Sequence, residues 1–139
     1  MLTDPTWALQ GAIKARLLAD REIAAIVSDR VYDRIQNSPT FPYISFGEIQ
    51  VLPELAEETD AARTYVTLNV WDRFKSSAAT KALAKLIVAS LHDAADLSID
   101  GSVVQSVLLD QSRSFPDPDG LTMHSVLTFN ILTDAASAD

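Results

Sequence analysis

"RTYVTLNVWDRF", residues 63–74, decides the fold. Val66, Leu68 and Val70 alternate with Tyr65, Thr67, Asn69 and Trp71. That period of two is the signature of a strand with one face turned to a core. Its second face sets two large aromatics, Tyr65 and Trp71, among Thr and Asn side chains. Aromatics on an otherwise polar face are enriched where proteins touch; the alternative is that a second element of the chain covers them.

Downstream, "SSAATKALAKLIVASLHDA" (76–94) has the period of an amphipathic helix. Ser76 or Ser77 is its expected cap. Ala79, Leu83, Leu86, Ile87 and Leu91 make the expected buried stripe, with Lys81 and Lys85 outside it. Asp100-Gly101 predicts a hairpin turn between short strands. "SVVQSVLLDQSRSF" (102–115) continues as a strand, bent near Leu108-Leu109 where two apolar residues break the alternation. "PDPDG" (116–120) predicts a turn with Gly120 in the left-handed region. "LTMHSVLTFNILT" (121–133) closes the fold, with Met123, Ser125, Leu127, Phe129 and Ile131 on one face.

Upstream lies "TFPYISFGE" (40–48). Pro42 biases Phe41 toward extended backbone and has no N–H to give a ladder, which suits a strand entrance at a sheet edge. "YISFGEIQVL" (43–52) then reads as a strand ended by Pro53. Ile44 and Phe46 share one face; Tyr43, Ser45 and Gly47 share the other, leaving Phe41 and Tyr43 at a rim open to a neighbouring subunit. "RVYDRIQ" (30–36) reads as a short strand and "NSPT" (37–40) as a breaker. At the N-terminus Asp4-Pro5 starts a helix with Pro at its first position, a stripe of Leu9, Ile13 and Leu17, and Trp7 and Ala12 at the stripe's edge. Asp20 predicts a second N-cap, for "REIAAIVS" (21–28), with Ile23, Ile26 and Val27 inward. The expected fold is α+β: an antiparallel or mixed sheet of about four to five strands, with two to three helices mainly on one face. One domain over 1–134 and a short disordered tail, 135–139, are expected.

The composition excludes several functions. Lys plus Arg number 11 against 19 Asp plus Glu, a formal net charge of −8. Such a chain repels phosphate backbones, so general nucleic-acid binding is disfavoured. With no cysteine there is no disulfide or thiolate metal site, and the chain suits a reducing compartment. The N-terminal residues lack a basic region followed by a long apolar run, and no apolar stretch is long enough to cross a bilayer. A soluble, cytoplasmically assembled protein is expected.

Reactive constellations are missing. His92, in the last turn of the long helix where the dipole favours a cation, reads as a surface histidine at a helix end. His124, in the final strand, reads as a structural or interface residue. No pair of ligands has the spacing of a helix-borne metal site. "DPDG" (117–120) lacks the bidentate Glu of a calcium loop and reads as a turn. "EETD" (57–60) reads as a solvated or partner-binding loop. The four glycines are not spaced for a phosphate loop. No cofactor is expected, and the chain reads as an assembly component. A small enzyme or ligand-binding domain using His124 with Asp110 or Asp119 is the alternative from another class.

Several segments together carry a family resemblance. "ALQGAIKARLLAD" (8–20) and "IAAIVSDRVYDRIQNSPTFPYISFGEIQV" (23–51) resemble the small tail-completion, or tail-terminator, proteins of long-tailed phages, prophages and gene transfer agents. "TLNVWDR" (67–73) is similar to that family's central strand, and "DPDGLTMHSVLTFNILT" (117–133) to its final turn and strand. The resemblance implies a structural subunit without catalysis, in a homo-hexameric ring on the head-proximal end of the tail tube. The ring would stop tube polymerisation and dock the neck or head-completion protein, with DNA passing through unrecognised. Its expected partners are further copies of itself, the tail-tube protein and the neck protein, with no membrane. A neck or tube subunit is the alternative within the same class. The expected contact elements are the loops 36–42 and 52–63 and the turn 112–121. The contact residues named are Phe41, Tyr43, Glu57, Glu58, Tyr65, Trp71, Phe115, Asp117 and Asp119.

Overall fold

A computed structural model describes residues 4–34, 37–54, 60–73, 77–94 and 96–135. The alternating segment is β3 (Ala62–Asp72), in the middle of the sheet. With β1 (Val31–Tyr32), β2 (Tyr43–Pro53), β4 (Ser102–Pro116) and β5 (Met123–Ala135) it forms a five-stranded sheet in the order β1-β2-β3-β5-β4. The β1–β2 pair is parallel and the other neighbours are antiparallel, so the sheet is mixed. Three helices, α1 (Thr6–Ala19), α2 (Arg21–Val27) and α3 (Ala78–Leu91), complete the α+β fold. None of the described helices is long and apolar enough to cross a membrane.

The core lies between the helices and one sheet face. Leu9, Ile13 and Leu17 of α1, Ile23 and Val27 of α2, and Leu83, Ile87 and Leu91 of α3 are fully or almost fully buried. They pack with Val66, Leu68 and Val70 of β3 and Leu127, Phe129 and Ile131 of β5 in one cluster. Asp20 turns the chain from α1 into α2: its Oδ1 accepts the Glu22 and Ile23 N–H groups at 3.0 and 3.2 Å. This is the expected N-cap, satisfying backbone donors that a helix start leaves unpaired.

Several details depart from the expectation. Helix α1 begins at Thr6, so Pro5 stands at the cap and not at the first helical position; Asp4 Oδ1 accepts from the Thr6 N–H. Ile26 is 38% exposed, because α2 has only two turns and turns Ile23 and Val27 inward. On α3 the buried stripe is Thr80, Leu83, Ala84, Ile87 and Leu91, with Ala79 and Leu86 only half-buried. Ser77 holds the cap position with helical dihedral angles, which leave its hydroxyl without a backbone donor to accept from. Ser76 lies outside the described residues. The first short strand spans two residues, Val31 and Tyr32. Asp100-Gly101 does turn, with φ of 83° at Gly101, but only a single bridge, Ile99 to Ser102, precedes the 15-residue strand β4. The irregularity anticipated in β4 is a bulge between Leu109 and Gln111, and a second lies between Val104 and Ser106.

His92 is the C-cap of α3, and its Nδ1 accepts the Leu109 N–H at 3.0 Å. His92 is exposed at the helix end, where a surface histidine was expected. The neighbouring Asp93 N–H donates to the Val107 carbonyl at 2.8 Å. Together they tie the end of α3 to the outer side of β4.

Candidate assembly surface

Strand register builds a row of rings on the sheet face away from the core. Tyr43 stands opposite Trp71, Trp71 opposite His124, and His124 opposite Phe115. Directly opposed residues share a face, so four rings line up across β2, β3, β5 and β4. Trp71 lies on His124 with ring centroids 3.7 Å apart and planes 14° from parallel. Phe115 meets the far side of His124 edge-on at 5.0 Å. Tyr43 lies 6.3 Å from Trp71 and is closed from the other side by Tyr32 at 5.8 Å and Phe41 at 5.2 Å. Polar tips in the row are matched: Trp71 Nε1 donates to the buried Ser45 Oγ at 3.0 Å, and His124 Nε2 faces Asn69 Oδ1 at 2.7 Å. Burial is the main cause that lowers the His124 pKa below its ordinary value, and the main cause that raises the Tyr43 pKa.

At the β2–β3 end of this row is a concavity of about 300 Å³, lined by Pro39, Phe41, Tyr43, Trp71, Arg73, Asp117, Asp119 and Thr122. Arg73 crosses it. Its guanidinium lies 4.3 Å from the Phe41 ring centre, its Nε donates to Thr122 Oγ1 at 3.2 Å, and its Nη2 is 3.7 Å from Asp119 Oδ2. The turn opposite is held by its own acid. Asp119 Oδ1 accepts the Leu121 and Thr122 N–H groups at 2.8 and 2.9 Å, and Oδ2 accepts the Thr122 hydroxyl at 2.7 Å. The Leu121 N–H, first among these bonds, holds the Asp119 carboxyl below its usual pKa. Gly120, with φ of 73°, supplies the left-handed residue the turn requires. Among the described residues no group of His, Asp and Glu is placed to hold a metal ion. Among the described residues no nucleophile is hydrogen-bonded to His124: its Nε2 faces Asn69 Oδ1 and its ring lies between Trp71 and Phe115. The arrangement is a braced, partly open surface of aromatics and one arginine, the side-chain types that anchor protein contacts.

The sequence model of the family described as tail completion protein gp17 matches residues 11–134. The chain belongs to this family. It is a tail completion protein, a structural component of a phage or phage-like particle tail. Two solved structures share its fold. One is a chain in the virion of a native gene transfer agent particle, 23% identical, with a TM-score of 0.85, covering 94% of this chain and 97% of that one. The other is the gp17 protein of bacteriophage SPP1, 15% identical, with a TM-score of 0.58, covering 96% of this chain and 91% of that one. No curated protein sequence matches it.

Of the contact residues expected in this tail completion protein, five line the one concavity: Phe41, Tyr43, Trp71, Asp117 and Asp119. Phe115 joins them through His124. The rim question raised by "TFPYISFGE" has a split answer. Tyr43 is only 3% exposed, enclosed by rings of its own chain, while Phe41 is half-buried and reaches the concavity. Tyr65 stands apart, in a polar depression of about 240 Å³ with Glu48, Gln50, Thr67 and Thr128. Glu57 and Glu58 lie outside the described residues. Sequence reasoning missed Arg73 and the linking role of His124. The signal for Arg73 was its spacing: two residues beyond Trp71, it shares that residue's side of the chain.

Proposed function

We propose that the protein closes into a homo-hexameric ring on the head-proximal end of the tail tube, ends tube polymerisation and joins the tail to the neck. The observation that carries this reading is the family match across residues 11–134, on a chain built from a braced sheet with projecting turns. The mechanism is physical capping. Head-to-tail contacts that close around an axis leave no free surface in the plane of the ring. One ring face matches the tube end, and the other presents a different surface to the neck, so no further tube layer is templated. The proposed contact elements are residues 36–42 and 112–121, of which Pro39, Phe41, Asp117 and Asp119 line the aromatic concavity, together with residues 52–63. A strongly acidic chain lets DNA pass through the ring without being held. Assembly takes place in the host cytoplasm.

Native mass spectrometry and electron microscopy of the purified protein, alone and with tail tubes, test this. The expected outcome is a single ring seated on one tube end. Stacked open-ended tubes of this protein would identify it as a tube subunit. A strict monomer that never associates with tubes, or particles of native tail length joined to heads after deletion of the gene, would overturn the proposal.

A further inference from the structure

The sheet ends in two unlike edges. On one side β1 pairs only with Ile44 and Ser45, so among the described residues β2 from Gly47 to Pro53 has no outer neighbour. On the other side β4 is the last strand. Part of that edge is already closed, since Asp93 and His92 take up the Val107 carbonyl and the Leu109 N–H. Beyond this plug and the bulge at Leu109/Gln111, the stretch Gln111–Pro116 is regular and, among the described residues, has no outer strand. A groove of about 480 Å³ lies between it and α3, with Ala84, Val88 and Leu109 as apolar lining and Lys81 and Lys85 on the helix side. Neither lysine has an ion-pair partner among the described residues, in a chain of net charge −8.

We infer that this groove and the Gln111–Pro116 edge form a socket for residues Gly47–Pro53 of a second copy of the chain. The inference rests on the ring reading and names the contact that closes the ring. Two observations select the occupant. First, strand direction fits. The sequence of antiparallel pairs β2–β3–β5–β4 makes β4 run opposite to β2. A rotation about an axis along the strands therefore brings β2 of one copy beside β4 of the next as an antiparallel pair, with the helices of both on the same side. Second, the side chains fit. Ile49 pairs in register with Val66 on the core side of the sheet, and Val51 shares that side; both are half-buried at the open edge, on the side of the groove lining. On the opposite side Leu52 is left 44% exposed. Because the two edges differ, the contact is head-to-tail and propagates around a ring, where a two-fold contact would stop at a pair.

Cysteine cross-linking reads this directly, because the chain contains no cysteine of its own. Gln50 and Gln111 are both exposed, on the sheet side away from the helices. The Gln50→Cys/Gln111→Cys protein, treated with a short bis-maleimide, is expected to give a ladder of covalent multimers. A mixture of the two single variants should stop at linked pairs, and each single variant alone should stay unlinked. Rings seen by native mass spectrometry without any linked product would overturn the socket and leave the ring reading standing. Linkage of Gln111→Cys to itself would overturn it in favour of a two-fold contact. A chain that stays monomeric, alone and with tubes, would overturn both.

Discussion

If the aromatic row is a brace, the hydrogen bond from Trp71 to Ser45 inside it is coupled to stability in a predictable way. Ser45 is 1% exposed, and its Oγ accepts from Trp71 Nε1 at 3.0 Å. Trp71→Phe keeps a ring on His124 but leaves that hydroxyl buried with its partner removed. An unsatisfied buried hydroxyl costs ~1–3 kcal/mol; adding the smaller ring's lost contact, we expect a loss of about 2 kcal/mol. Ser45→Ala alone should cost under ~1 kcal/mol, because Trp71 is only half-buried and can present its indole N–H to water. The double variant has no orphaned group. Its cost should fall short of the sum of the single costs by ~1 kcal/mol, the coupling typical of residues in direct contact. Urea unfolding followed by far-UV circular dichroism measures this, at concentrations where all variants share one association state. Tryptophan fluorescence is unsuitable, since the only other tryptophan, Trp7, is 78% exposed. Additivity within ~0.3 kcal/mol would refute the reasoning, since independent sites add to about that margin.

Gly47→Ala should destabilise by ~1 kcal/mol, because a Cβ there would stand 2.8 Å from Asn69 Nδ2 and 3.1 Å from a Thr67 methyl carbon. Asn69 then has to leave His124, so displaced His124 imidazole resonances should accompany the loss; a loss without them would count against the link. His124 binds its proton less readily in the folded chain than its ordinary pKa of 6.5. The unfolded chain therefore takes up more protons, and stability present above pH 6.5 is lost as pH falls through the folded value. His124→Gln should flatten thermal stability across that range, and an unchanged pH profile would remove His124 as the cause. His92→Ala removes the acceptor of the Leu109 N–H and should cost about 1 kcal/mol. Hydrogen exchange at the Leu109 amide should accelerate, and unchanged protection would show that the helix end does not guard this edge.

What was legible in the sequence is what period and punctuation encode. The alternation in β3, the four-residue recurrence of Leu9, Ile13 and Leu17, the Asp20 cap and the Gly120 turn all stand where local chemistry put them. Stripe edges were less legible, because which face of α3 is inward depends on the sheet it meets: Thr80 and Ala84 are buried while Ala79 and Leu86 are only partly so. The candidate surface was half legible. Aromatic content flagged Phe41, Tyr43, Trp71 and Phe115, but their union through His124 needs the register of β5 between β3 and β4. Strand order is a tertiary property that single-sequence periodicity does not carry. The same holds for His92, whose role depends on where the outer edge of β4 passes the end of α3.

The two ends of the sheet meet opposite requirements with the same material. In the proposed ring a subunit needs an edge that pairs, yet an edge strand with no neighbour is a template for indiscriminate association. Here β4 is bulged twice, and its stretch at Val107–Leu109 is capped by the helix that follows β3 in the chain. The regular remainder, Gln111–Pro116, is short, carries the charged Arg113 and ends in a proline. Pairing there gains few ladder bonds, too few to hold a foreign strand, unless the incoming strand also fills the α3 groove. Specificity then comes from the groove and the pairing from the edge, so neither alone suffices to recruit a partner. The braced aromatic end fixes the geometry at which the two act together: Phe115, inside the pairing stretch, is clamped to His124 and through it to Trp71 of the central strand. A loosened row would let the end of β4 twist away from its partner, so the rings that first look like a binding site are equally the splint of the edge beside them.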